Sequence, residues 1–166
     1  MFDTQTIDST NKADFYRELA EQAAAMVQGE PDEIANAANL SALLFEQMPD
    51  LNWAGFYFLR SPDELVVGPF QGRPACVRIK VGKGVCGTAV QRRQSILVED
   101  VDAFPGHIAC DSASRSELVV PLIKGGKVLG VLDLDSPVVA RFDADDQAGI
   151  EAIARIYVEA CDAVTA

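Results

Sequence analysis

The hydrophobic positions change period twice along the chain. Phe15, Leu19, Ala23, Met26 and Val27 recur at helical spacing, and Gly29-Glu30-Pro31 predicts where that helix stops. A second helix is expected next, with Asp32 as its N-cap and Ile34, Ala37, Ala38, Leu44, Phe45 and Met48 as its apolar side, ending at Pro49-Asp50. Each apolar face reads as core, with a dimer contact as the alternative. From Trp53 the pattern becomes short apolar runs separated by turn residues. Residues 53–59 and 64–68 flank Ser61-Pro62-Asp63 and predict a hairpin, and residues 76–80 predict a third strand. Gly82-Lys83-Gly84-Val85-Cys86-Gly87 leads into a short helix ending near Arg92, and residues 96–98 predict a fourth strand. Residues 117–124 and 127–134 flank Gly125-Gly126 as a second hairpin. Helical spacing then returns. Asp143 is the expected N-cap, the acids behind it favour the positive end of the helix dipole, and Ile150, Ile153, Ala154, Tyr157, Cys161 and Val164 share one face of a helix running to about Val164.

Residues 104–117 follow neither period. This polar stretch carries one cysteine, and long loops of this kind in compact domains are often binding elements, so it is expected to roof a pocket over the sheet. Helices at both ends of a block of mostly antiparallel strands predict an α+β fold with helices packed on the sheet. The length of 166 residues suits one domain over residues 1–166, with no internal repeat or linker.

Composition narrows the partners. A net charge of -11 opposes binding to nucleic acid or an anionic membrane surface, whereas a cationic or zwitterionic ligand is compatible. No apolar run approaches the roughly 18 residues of a membrane span, and Met1-Phe2-Asp3-Thr4-Gln5 has no basic and apolar leader, so a cytoplasmic protein is expected. Cys76, Cys86, Cys110 and Cys161 stand 10, 24 and 51 positions apart, with no Cys-x-x-Cys pair and one histidine in the chain. That spacing argues against a structural zinc, and no metal or other cofactor is expected. In a reducing compartment the choice is between inert buried thiols and redox chemistry. Cys161, on a helical apolar face, reads as a core or interface residue.

Cys110 is different. The polar residues after it predict a partly wet thiol, and His107 or Arg115 is placed to stabilise a thiolate below the usual pKa of about 8.5. Three acids are the other candidates. Strand alternation puts Asp133 and Asp135 on one face with Val131 and Leu129, and Leu132 and Leu134 on the other. If Glu117 joins the aspartates in a closed pocket, at least one acid has a raised pKa and holds a proton near neutrality. A plain two-residue turn at Gly125-Gly126 would send Glu117 to the opposite face. The three acids therefore require an odd loop or a bulge, and a three-residue loop would set Glu117 opposite Asp133.

Taken together, Cys76, Gly84-Val85-Cys86-Gly87, His107-Ile108-Ala109-Cys110-Asp111-Ser112, Ser116-Glu117-Leu118-Val119-Val120-Pro121 and Leu132-Asp133-Leu134-Asp135-Ser136 resemble the free methionine-(R)-sulfoxide reductases, stand-alone enzymes of the GAF-domain fold. The likeness runs from about residue 10 to residue 160. It implies a six-stranded antiparallel sheet between helices and a homodimer. It also implies reduction of free methionine-(R)-sulfoxide, with Cys110 as nucleophile, Cys76 as the principal resolving cysteine and Cys86 as a further redox-active partner. Glu117, Asp133 and Asp135 become substrate-binding acids, with Glu117 and Asp135 as proton donors and Asp133 as the ammonium ligand. Trp53 and Tyr57 line the methyl-sulfoxide end, and thioredoxin or a similar dithiol restores the thiols. The alternatives are a GAF module that senses a cyclic nucleotide or another small molecule without chemistry, and a bilin-binding photosensor.

Overall fold

The structure is a computed structural model, and it describes residues 2–8 and 10–161. Helices α1 (Lys12–Val27) and α2 (Glu33–Gln47) precede a hairpin of β1 (Trp53–Ser61) and β2 (Glu64–Gly72). Strand β3 (Arg78–Lys80), helix α3 (Gly84–Arg92) and strand β4 (Ile96–Val98) follow, then a second hairpin of β5 (Ser116–Lys124) and β6 (Lys127–Ser136), and finally α4 (Ala144–Ala160). The six strands form one antiparallel sheet in the order β3-β2-β1-β6-β5-β4. This is the expected α+β arrangement. No helix among the described residues is long and apolar enough to cross a membrane.

Each face of the sheet has its own apolar core. Phe56 and Phe58 of β1, Leu118, Val120 and Leu122 of β5, and Leu132 and Leu134 of β6 pack against α1, α2 and α4. The alternate residues Tyr57, Val119 and Val131 pack under α3 with Val85, Ala89 and Val90. Helix starts follow the sequence. The Asp32 carboxylate accepts from the backbone N–H of Ile34 and Ala35 at 2.9 and 2.8 Å. Asp143 and Asp146 form a reciprocal capping box on α4. Asp146 is buried, accepts from Tyr16 Oη and Lys12 Nζ at 2.6 Å each, and so ties α1 to α4.

Three expectations are corrected. Helix α2 and its C-cap bury Ala37, Leu44 and Met48 as expected, but Ile34 is 46% and Phe45 37% exposed and Ala38 faces solvent, while Asn36 and Ser41 are buried. Those polar groups are satisfied, because Asn36 Nδ2 donates to the Glu30 carbonyl at 2.7 Å and Ser41 Oγ to the Ala37 carbonyl at 2.7 Å. Helix α4 ends at Ala160 with Cys161 as its C-cap, and Val164 lies outside the described residues. The third strand begins only at Arg78, so Cys76 belongs to the loop before it.

The second hairpin contains the required irregularity, although not in the turn. Gly125 and Gly126 both have positive φ, 56° and 77°, and make a two-residue turn that pairs Lys124 with Lys127. The ladder then shifts: Ile123 pairs with Val128 but Leu122 pairs with Gly130, leaving Leu129 as the extra residue. Glu117 is consequently opposite Asp135 rather than Asp133, and Leu129 packs toward the three-helix side instead of sharing the face of the aspartates.

Candidate active site

The bulge brings the acids together in a row across the sheet. Glu117 pairs with Asp135, and Asp135 pairs with Trp53 of β1; one step along, Val119, Asp133 and Gly55 are aligned in the same way. Glu117 and Asp133 are each only 5% exposed. Helix α3 closes the far side, where Gly87 lies so close to β3 that a Cβ would overlap the Lys80 carbonyl oxygen. That approach sets the preceding Cys86 into the pocket, where its Sγ and one oxygen each from Glu117 and Asp133 lie within 4.8 Å of one another. The loop 104–117 forms the roof, contributing His107, Cys110 and Asp111.

The sulfur of Cys110 is bonded to that of Cys76, with alpha carbons 5.4 Å apart across 34 positions of sequence. Cys86 and Cys161 are free thiols, both buried. Only Cys86 reaches the pocket, and Cys161 belongs to the opposite core. Tyr57 Oη donates to the Cys76 carbonyl at 2.9 Å, and Trp53 Nε1 to the Arg73 carbonyl at 3.2 Å. The Trp53 ring stacks between Tyr57 and Phe70, with centroid distances of 5.7 and 5.1 Å. Both aromatic residues named from the sequence therefore line the pocket and brace the segment that carries Cys76.

Burial dominates the electrostatics. It is the first cause in raising Glu117 to about 8, and the charge of Asp135 adds to it. Burial likewise lifts Asp133 and Asp135 well above the ordinary carboxylate range, with Glu117 reinforcing the first and Asp133 the second. The Cys86 thiol is pushed up by burial and then by the same acids, so it stays protonated near neutrality. Arg115 is exposed, and His107, whose pKa burial lowers, lies with Nε2 3.6 Å from Glu117 Oε2.

Asn52 is a site residue that the sequence reading missed. Its Nδ2 donates to Asp111 Oδ2 at 3.1 Å and to Ser114 Oγ at 3.0 Å, fastening both sides of the roof loop, while its backbone N–H donates to the Asp135 carbonyl at 3.0 Å. Its position directly before the first strand was the available signal. The pocket is partly open, with a volume of about 40 Å³ accessible to the centre of a water.

The chain is 54% identical over 140 residues to the free methionine-R-sulfoxide reductase of Escherichia coli, covering 84% of each chain. Over 96% of its length it superposes on 95% of the free methionine-R-sulfoxide reductase of Neisseria meningitidis, solved in complex with its substrate, with a TM-score of 0.92 and 44% identity. A putative GAF sensor protein from Burkholderia vietnamiensis is similar too, with 61% identity and a TM-score of 0.88 over 92% of this chain and 96% of that one. The family model described as GAF domain matches residues 35–161, and the chain belongs to the GAF-domain family.

Proposed function

We propose that this chain reduces free methionine-(R)-sulfoxide to methionine, with Cys110 as the nucleophile. The observation that carries the reading is the Cys76–Cys110 disulfide beside three acids whose carboxyls are held toward the protonated form. Sulfoxide sulfur is a poor electrophile until its oxygen takes up a proton. A protonated Glu117 or Asp135 supplies that proton as the Cys110 thiolate attacks, a contribution typically on the order of 10²–10⁴-fold. The oxygen passes to Cys110 as a sulfenic acid and methionine leaves. Condensation with the Cys76 thiol then forms the disulfide and releases water. Two thiols are oxidised by two electrons, and one sulfoxide is reduced by two.

The ammonium of a free amino acid supplies the counter-charge that burial denies Asp133. Asp133 Oδ1 has no hydrogen-bond partner among the described residues and is available to accept from it. Trp53 and Tyr57 provide an apolar wall for the methyl-sulfoxide end. Cys86 serves as an additional thiol, reaching the disulfide by exchange. Thioredoxin or a similar dithiol reduces the Cys76–Cys110 bond. The cycle suits the reducing cytoplasm, with the chain acting as one GAF-like unit within a homodimer.

A thioredoxin-coupled assay tests the reading by comparing free methionine-(R)-sulfoxide, its S epimer and a sulfoxidised peptide. Turnover confined to the free R epimer is expected; turnover confined to the peptide would overturn the substrate assignment.

A further inference from the structure

Three side chains at the floor of the pocket come from three separate elements: Cys86 from α3, Glu117 from β5 and Asp133 from β6. One ligand atom from each lies within 4.8 Å of the other two, the one such grouping of cysteine, histidine or acid side chains found among the described residues. Donor atoms bound tetrahedrally at roughly 2.0–2.3 Å stand about 3.3–3.8 Å apart, so side-chain shifts of about 1 Å bring all three onto a common centre. The cysteine spacing in sequence gives no sign of this set, because two of its three members are carboxylates.

The contrast with the other buried acid is informative. Asp146, on the far side of the sheet, is surrounded by Tyr16, Lys12 and Arg141. Asp133, which lines the pocket, is almost as deeply buried, at 5% exposure, yet its Oδ1 has no hydrogen-bond partner among the described residues. A buried carboxylate oxygen left unpaired is costly, and a ligand that supplies positive charge removes the cost.

We propose that Cys86, Glu117 and Asp133 form a binding site for one soft divalent cation of the zinc and cadmium class. Three protein ligands with a fourth position open to the pocket is a coordination such ions readily accept. The sulfur selects against magnesium and calcium, which prefer all-oxygen shells. The Cys86 proton leaves to solvent as the metal–sulfur bond forms, so no oxidant or reductant is needed. Cys86 is free while Cys76 and Cys110 are joined, so the site exists in the disulfide form. Occupancy stands apart from the reductase reading, since it requires neither substrate nor turnover.

The test uses the full chain with its disulfide intact, titrated with cadmium and followed by the ultraviolet thiolate-to-cadmium band. The band is expected to saturate at one ion per chain in the unmodified protein and in Cys161→Ser, and to vanish in Cys86→Ser. Asp133→Asn and Glu117→Gln keep the side-chain shape and are expected to weaken binding by about 10–100-fold, with near-ultraviolet circular dichroism confirming that each variant is folded. Cadmium on surface acids gives no such band. A band that persists in Cys86→Ser, that disappears in Cys161→Ser, or that never forms with the unmodified protein would overturn the site. So would full displacement of cadmium by an equal concentration of calcium.

Discussion

Glu117 and Asp135 are directly opposed across the β5–β6 ladder, and one extra residue, Leu129, makes both carboxyls face the pocket. Without that residue the tight Gly125-Gly126 turn would place Glu117 among the leucines under the three helices. The bulge thus links a backbone irregularity near the turn to a proton-holding cluster at the other end of the strands.

The cluster makes folding stability sensitive to pH. Glu117 binds its proton with a pKa of about 8 when folded, against 4.5 for an unperturbed glutamate. Its contribution is fully present below 4.5 and is lost as pH rises through about 8, because in that window the folded chain holds more protons than the unfolded one. The raised values of Asp133 and Asp135 act in the same direction. The urea midpoint is expected to fall between pH 5 and pH 8, and to fall less in Glu117→Gln, whose amide stays neutral. Equal declines in the two proteins would contradict the assignment.

Turnover should respond to the same proton. The kcat/KM for free methionine-(R)-sulfoxide is expected to decline above about pH 8, as Glu117 ionises. Glu117→Gln is expected to lower it on the order of 10²–10⁴-fold near neutrality. A rate that climbs steadily to pH 10 would point to thiolate formation alone as the controlling step.

Tyr57 holds Cys76, the proposed resolving cysteine, through its hydrogen bond to the Cys76 carbonyl. Tyr57→Phe keeps the ring stacking and removes only that bond, worth about 1 kcal/mol. The first methionine should form at a near-normal rate while disulfide closure slows severalfold. Increased trapping of the Cys110 sulfenic acid by a dimedone probe is the signature, and trapping at the level of the unmodified enzyme would show that Tyr57 has no such role.

Asp146 ties α1 to α4 on the side of the sheet away from the pocket. Replacing it with alanine leaves Tyr16, Lys12 and Arg141 without their common acceptor and removes half of the α4 capping box. A loss of about 3 kcal/mol is expected in denaturant unfolding, with kcat unchanged at temperatures where the variant is folded. A selective loss of kcat would mean that this network reaches through the sheet to the pocket.

Much of this architecture is legible in the sequence because it is local. Asp32 and Asp143 announce their helices, Gly125-Gly126 announces its turn, and strand alternation separates Leu132 and Leu134 from Asp133 and Asp135. The inward face of α2 is not local. It is set by packing against β1 and β2, where Ser41 reaches the Pro69 carbonyl, while Asn36 donates to the Glu30 carbonyl before the helix; both are buried and Ile34 and Phe45 are not. The need for a bulge followed from parity, but parity alone does not say which residue is the extra one, and the ladder places it at Leu129. Asn52 escaped notice because its partners, Asp111 and Ser114, are 59 and 62 positions away.

The most direct test of the central claim is a single turnover. The reduced enzyme is mixed with free methionine-(R)-sulfoxide, without added reductant, and both products are measured. About one methionine per chain is expected, formed together with a Cys76–Cys110 disulfide identified by peptide mass, and no methionine from Cys110→Ser. Methionine released by Cys110→Ser at the rate of the unmodified enzyme, or a disulfide that excludes Cys110, would contradict it.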